Sequence, residues 1–179
     1  MELRALRGLA VIAVESGERL GEVSDALIDP QERRVAALRV RRGGRFRGNL
    51  SDVSFSELQS IGPDAVMLPH REVLRPATDG ESTTLCIDEF VGLRVVTERG
   101  EAQGTVDDAE FDPLSGALTT VVVAPPGIGG LLGRRRTVPI EQVRTIGRDA
   151  VVLHEIGPGE WEGERESGTE HPIVSADTK

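Results

Sequence analysis

The chain has 179 residues, of which 38% are hydrophobic and 28% charged, a length that fits one or two domains with an apolar core. The net charge of −9 argues against a surface built throughout for nucleic acid, while a single cysteine and three histidines exclude an intrachain disulfide and a cysteine-rich zinc module. Because no apolar run approaches the ~20 residues of a membrane span and no signal segment opens the chain, we expect a soluble, cytoplasmic protein.

The first predicted element is a block of short strands over residues 1–70. Its apolar and β-branched residues fall in runs of about four to eight, separated by glycine, aspartate and proline, which is typical of strands. Gly17 supplies a tight turn, Asp29-Pro30 ends the next strand, and Asp25 is expected to bond a backbone turn of its own barrel. About six short strands predict a small, nearly closed sheet, since closure removes exposed strand edges.

An arginine-rich hairpin is predicted within this block. A turn through Arg42-Gly43-Gly44 would align four arginines on the outer face, in the pairs Arg39 with Arg47 and Arg41 with Arg45. Like charges across strands repel each other, so an anionic partner would relieve this cluster. An ordinary solvated face is the alternative, because Lys179 is the only lysine and the preference for arginine extends over the whole chain.

The block then recurs over residues 86–156 at a spacing of 83, which lengthens to 85 near its end. The matching segments are Gly17-Glu18 with Gly100-Glu101, Asp25-Ala26 with Asp108-Ala109, Asp29-Pro30 with Asp112-Pro113, and Ile61-Gly62 with Ile146-Gly147. A long unit that occurs twice predicts two tandem copies of one small domain. Residues 71–85 are then a linker, and residues 157–179 an acidic, disordered tail that lacks the apolar content to fold.

The repeated order of motifs resembles the PRC-barrel family. In each copy a strand is followed by Gly-Glu-x-x-Gly-x-Val-x-Asp, an Asp-Pro turn, a hairpin and Ile-Gly-x-Asp-Ala-Val. This family includes the cytoplasmic domain of the photosynthetic reaction-centre H subunit and the C-terminal domain of the ribosome-maturation factors. The resemblance implies an all-β fold of two tandem six-stranded PRC-type β-barrels and a role in protein assembly. Neither the membrane helix of the former nor the RNA-associated domain of the latter is recognised here, so neither specific role is carried over.

The hairpin of the second copy differs from that of the first. Its loop between Pro125 and Gly133 is rich in glycine but lacks the lysine and the following helix of a phosphate-binding loop. Leu131 and Leu132 lie at the expected tip, where exposed apolar side chains mark contacts unless they fold back over the barrel. The candidate partner-binding residues of both hairpins are Arg39, Arg41, Arg45, Arg47, Leu131, Leu132, Arg134, Arg135 and Arg136.

Three acidic residues, Asp108, Glu110 and Asp112, would share one strand face and could converge on Ca²⁺. The first repeat lacks the middle carboxylate, and a solvated acidic face is the alternative. No catalytic motif is recognised, and no cofactor or metal is predicted. We therefore expect a non-enzymatic protein-interaction or assembly module with protein partners, self-association included. The alternatives are an RNA- or ribosome-associated factor that uses the arginine hairpin, and a Ca²⁺-binding regulatory protein.

Overall fold

A computed structural model describes residues 1–43, 49–77, 83–126 and 135–155. In these ranges the chain is almost entirely β, which confirms the predicted fold class. The one α-helix described, α1 (Ile87–Phe90), has four residues, and no helix in the described ranges is long and apolar enough to cross a membrane. The predicted acidic tail and several predicted contact residues lie outside these ranges: Arg45, Arg47, Leu131, Leu132 and Arg134.

The described strands of the first repeat form one sheet. They are β1 (Ala10–Ala13), β2 (Arg19–Asp29), β3 (Arg34–Arg42), β4 (Asn49–Ser54), β5 (Ser60–Ile61), β6 (Ala65–Leu68) and β7 (Arg75–Pro76). Their order is β5-β6-β1-β2-β3-β4-β7, and β1 and β6 are the parallel pair. Alternate residues point into the core, as Val11 and Ala13 of β1 do, because successive side chains of a strand face opposite sides.

The second repeat rebuilds the same topology. Its strands are β8 (Leu85–Cys86), β9 (Arg94–Thr97), β10 (Ala102–Phe111), β11 (Leu118–Ala124), β12 (Arg136–Pro139), β13 (Val143–Ile146) and β14 (Ala150–Leu153). Without β8 they form a sheet in the order β12-β11-β10-β9-β14-β13, with β9 and β14 parallel. The spacing of 83 extends to the register, because Val23 faces Val40 as Val106 faces Val123. Two tandem copies of one fold are thereby confirmed.

The two sheets exchange strand partners. β8 begins the second repeat but pairs with β2 of the first sheet, where Cys86 lies opposite Leu27. In the other direction, Glu2 forms a bridge with Glu110 of β10. In each repeat, therefore, the segment before β1 or β9 pairs with the sheet of the other repeat. Residues 71–85, expected to be a linker, contain β7 and the first residue of β8, and both of these short strands pair with the first sheet.

A second reciprocal contact joins the turns that precede β3 and β11. The Val35 N–H donates to the Gly116 carbonyl, and the Leu118 N–H donates to the Arg33 carbonyl, both at 2.8 Å. Arg33 and Gly116 are counterparts in the repeat, and both have a positive φ, 51° and 78°. Equal contacts made in both directions are the mark of a two-fold interface. The repeats therefore pack as a pseudo-symmetric dimer within one chain.

The buried core continues through this contact. Phe55 of the first repeat and Phe111 of the second are both buried, and their rings meet edge to face with centroids 6.4 Å apart. Such aromatic pairs add about 0.5–1.5 kcal/mol to the hydrophobic gain of burial. The buried residues of both sheets form one cluster, so the two repeats stabilise each other.

The repeated aspartates Asp25 and Asp108 also act across the contact. Asp25 Oδ1 accepts from the N–H of Ile87, the first residue of α1, at 3.0 Å. Asp108 accepts from the N–H of its neighbour Ala109 at 2.7 Å and from the backbone of Arg4, where a short 3₁₀ helix of the first repeat begins. A backbone donor within the same repeat thus exists for both carboxylates, since Ala26 donates to Asp25 at 2.9 Å as Ala109 does to Asp108, and each carboxylate accepts a further N–H from the other repeat. Burial raises the pKa of the Asp108 carboxyl because its ionised form loses hydration.

Candidate protein-interaction site

The predicted arginine hairpin has a different register from the expected one. The observed pairs are Arg42 with Asn49, Arg41 with Leu50 and Arg39 with Asp52. The expected pairing of Arg39 with Arg47 and of Arg41 with Arg45 is therefore wrong. The expected three-residue turn would have placed like charges opposite each other. The observed connection between β3 and β4 is longer and brings Arg39 opposite the carboxylate of Asp52. Opposite charges across strands attract each other.

Carboxylates pair with Arg39 and Arg41, the two arginines of the predicted contact set that are described in this hairpin. The Arg39 guanidinium donates to the two oxygens of Asp52 at 2.8 and 3.0 Å, and the two side chains are only 21% and 17% exposed. Arg41 donates to Glu22 on the neighbouring strand β2, which Arg19 also approaches at 3.9 Å. The described face is therefore a ladder of alternating charges. Phosphates would have to compete with these carboxylates, so this face does not favour the RNA-binding alternative.

The same outer positions of the second repeat are occupied by uncharged residues. By register, the counterparts of Glu22, Arg41, Arg39 and Asp52 are Thr105, Ala124, Val122 and Thr137. We call the end of each sheet where these hairpins turn the hairpin end. In the described strands the two hairpin ends share one backbone arrangement, and these four matched positions are charged in the first repeat and uncharged in the second. The charged pair of the second hairpin end, Arg135 with Asp107, occupies other positions.

The inner positions of the hairpin end differ as well. In the first sheet Leu20 and Ser51 are buried there. Their counterparts are Gln103 and Arg136, and Arg136 Nη2 donates to Gln103 Oε1 at 3.2 Å. Burial lowers the pKa of the Arg136 guanidinium, since the cation loses hydration. The second repeat thus has a polar pair at the position where the first has a closed, largely apolar interior.

A cavity of about 340 Å³ lies beside this pair, and we call it the Arg136 cavity. It is lined by Ala102, Gln103, Val123, Pro125, Pro126 and Arg136. A half-buried guanidinium and an amide among apolar side chains are the groups that bind a carboxylate or another planar anion. Arg135 lies at the outer margin of β12, 67% exposed, with its Nε 2.9 Å from an Asp107 carboxylate oxygen.

The strand that carries Arg136 is the last of its sheet in the described part of the chain. β12 has β11 as its neighbour there, whereas its counterpart β4 lies between β3 and β7. β7 pairs with β4 through Pro76 opposite Ser51 and Arg75 opposite Asp52. A strand edge without a neighbour presents backbone N–H and C=O groups to an incoming chain.

The described residues of the predicted contact set therefore belong to two separate sites. Arg39 and Arg41 lie in the charged ladder of the first repeat, whereas in the second repeat Arg136 begins β12 and Arg135 immediately precedes it. Sequence reasoning missed Gln103, the hydrogen-bond partner of Arg136. Comparison of the repeats at the spacing of 83 would have found it, because Gln103 replaces the buried Leu20.

The proposed acidic Ca²⁺ face does not assemble. Asp108 is buried against the first repeat and accepts N–H groups, while Asp112 accepts from Leu114 and Ser115 in its own turn. The described ranges contain no cluster of three or more aspartate, glutamate, histidine or cysteine side chains placed to hold a metal ion. The carboxylates of this strand serve the interface and the turn instead.

Comparison with known proteins matches both repeats. The family model for the PRC-barrel domain fits residues 1–75 and again residues 84–157. An uncharacterised protein of Clostridium acetobutylicum is 29% identical over 70 residues, which cover 37% of this chain and 80% of that protein. That relative is therefore little longer than one repeat.

Proposed function

Because the chain belongs to the PRC-barrel domain family through both of its repeats, we propose that it is a non-enzymatic adaptor that binds other proteins and holds them in an assembly in the cytoplasm. The observation that carries this proposal is the divergence of the two hairpin ends on a scaffold that is otherwise duplicated. Buried positions such as Val23 and Val106 keep the same residue in both repeats, whereas the four matched outer positions change from charged to uncharged and the buried Leu20 and Ser51 are replaced by the polar pair of Gln103 and Arg136.

The inter-repeat contact supports this role because it fixes the two hairpin ends to one body. The reciprocal backbone hydrogen bonds of Val35 and Leu118 hold the repeats together. Two unlike surfaces on one scaffold suit an adaptor that brings together two different partners. Separate binding modules on a flexible tether would not fix the distance between the partners.

A non-enzymatic role also agrees with the chemistry of the second hairpin end. The polar groups that line the Arg136 cavity are a guanidinium and an amide. Neither is an ordinary nucleophile, and the guanidinium stays protonated, so neither acts as a general base near neutral pH. Both are instead suited to recognition by hydrogen bonds.

Site-specific crosslinking in the native host tests the proposal. A photo-reactive amino acid replaces either Leu50, which is 42% exposed, or its counterpart Arg135. The control carries the same amino acid in place of Glu32, an exposed residue near the other end of the first hairpin. We expect discrete protein adducts from positions 50 and 135, different from each other, that persist at raised salt and after nuclease treatment.

Two results would contradict the proposal. One is the absence of protein adducts at both hairpin-end positions beyond those of the Glu32 control. The other is capture of RNA alone, released as the salt concentration rises, because phosphate contacts weaken steeply with ionic strength whereas apolar contacts do not.

A further inference from the structure

The first repeat shows what the edge of β12 can accept. In that repeat β7 adds antiparallel to β4, with Pro76 opposite Ser51. Arg136 corresponds to Ser51 in the register of the second sheet. An extended peptide that pairs with β12 in the same way would therefore have one residue directly opposite Arg136. Among the described strands β12 has β11 as its neighbour, and addition of a strand at such a sheet edge is a common mode of peptide recognition.

The residue opposite Arg136 would point to the same side of the sheet as Arg136 itself. Directly opposed residues of antiparallel strands share one face, with Cβ atoms ~4.5–5.5 Å apart. Arg136 lines the cavity together with Gln103, so the side chain of the incoming residue would enter the same space. The geometry of strand addition thus delivers one peptide side chain to the Arg136 cavity.

The chemistry of the cavity selects an acidic side chain. Arg136 offers planar N–H donors that match a carboxylate, and Gln103 accepts from it through Oε1, which leaves the amide NH₂ as a further donor. Val123, Pro125 and Pro126 surround these groups with apolar surface. Charge-assisted hydrogen bonds are stronger in such partly dry surroundings than in water.

We propose that the edge of β12 and the Arg136 cavity together bind an extended acidic segment of a protein partner, with a glutamate or aspartate carboxylate held by Arg136 and Gln103. This inference rests on the proposed adaptor function and names the partner chemistry of its second hairpin end. The first repeat lacks the site, because β7 pairs with β4 and the buried Leu20 and Ser51 replace the polar pair.

The test uses the full chain and a pair of fluorescein-labelled peptides. One peptide alternates threonine and valine around a single central glutamate, with blocked ends, and the other has glutamine in place of the glutamate. By fluorescence anisotropy we expect the glutamate peptide to bind at least ~10-fold more tightly, as a charge-assisted pair predicts.

Variants then assign the preference to the cavity. The double variant Gln103→Leu with Arg136→Ser carries the residues of the first repeat, which the same fold buries at the counterpart positions Leu20 and Ser51. It should bind both peptides equally. The control Arg144→Ser changes the net charge as Arg136→Ser does, but Arg144 lies on β13 and pairs with Glu98 at 3.0 Å. The control should keep the full preference.

Hydrogen exchange reports the strand addition directly. The saturating glutamate peptide should slow amide exchange at residues 136–138 of β12 and leave residues 49–54 of β4 unchanged. Equal binding of the two peptides, a preference that survives in the double variant, or unchanged exchange in β12 would each overturn the inference. Protein adducts from position 135 in the crosslinking experiment, together with any of these results, would leave the adaptor function standing and refute only the acidic-peptide site.

Discussion

Replacement of Gly116 by alanine tests the packing of the two repeats against each other. Gly116 has a φ of +78°, and a Cβ built there would lie 3.0 Å from the Phe55 ring and 3.0 Å from the Val35 carbonyl oxygen. Both neighbours belong to the other repeat. Gly100 is the matched control, since its φ is +81° but nothing lies within 4 Å of its added Cβ.

The magnitude follows from two separate costs. A left-handed backbone costs a non-glycine residue roughly 1–2 kcal/mol, and this cost applies to both variants. Crowding in a packed interior adds about 1–3 kcal/mol, and it applies to Gly116→Ala alone. We therefore expect Gly116→Ala to lower the free energy of unfolding by about 1–3 kcal/mol more than Gly100→Ala does. For a chain of this length, each kcal/mol lowers Tm by about 2–4 °C.

Urea unfolding of the full chain, followed by circular dichroism, measures the difference between the two variants. The crowding cost should shrink when Phe55→Leu is combined with Gly116→Ala, because the smaller side chain gives the added methyl group room. Equal destabilisation by Gly116→Ala and Gly100→Ala would refute the argument. It would mean that Phe55 and Gly116 do not meet in solution and that the repeats do not pack as described.

Three further predictions concern charges and the inter-repeat contact. Asp108→Asn removes a buried charge but leaves one oxygen where the Asp108 carboxylate accepts from both Ala109 and Arg4, so the informative quantity in urea unfolding is how the difference in stability from the parent varies with pH. Because the pKa of Asp108 is raised in the folded state, the parent should lose stability relative to this variant as pH rises from about 4, and the difference should become constant at lower pH, whereas a difference that does not vary with pH would contradict the raised pKa. A double-mutant cycle of Arg39→Met and Asp52→Asn should give a coupling of about 1 kcal/mol in urea unfolding, as for a well-formed but partly solvated pair, and zero coupling would contradict the observed bidentate pair. Proteolysis at a site introduced within residues 78–82 should leave the two halves together in gel filtration, because reciprocal strand pairing joins them, and separation of the halves would contradict that pairing.

Local chemistry made much of the fold predictable. The alternation of apolar residues and the Gly, Asp and Pro turns predicted strands, and the spacing of 83 predicted two copies, because both signals involve neighbours along the chain. Gly17 and Gly100 have the positive φ expected of them, 69° and 81°. The repeat also marked Gly21 and Gly104, but only the structure gives the reason. At each of these positions a Cβ would collide with a backbone carbonyl of the adjacent strand.

The tertiary structure decided which residues meet. The sequence contains Arg39 and Asp52 but does not state the length of the hairpin connection, and a change of register replaces every cross-strand partner. It marked Asp25 and Asp108 as repeated acceptors, yet one N–H donor of each comes from the other repeat because the segments before β1 and β9 cross between the sheets. The pairing of Arg136 with Gln103 likewise joins residues on different strands, 33 positions apart. Local propensity follows from a residue and its neighbours, whereas these contacts depend on how distant segments pack, and that is settled only when both sheets bury their apolar faces in one core.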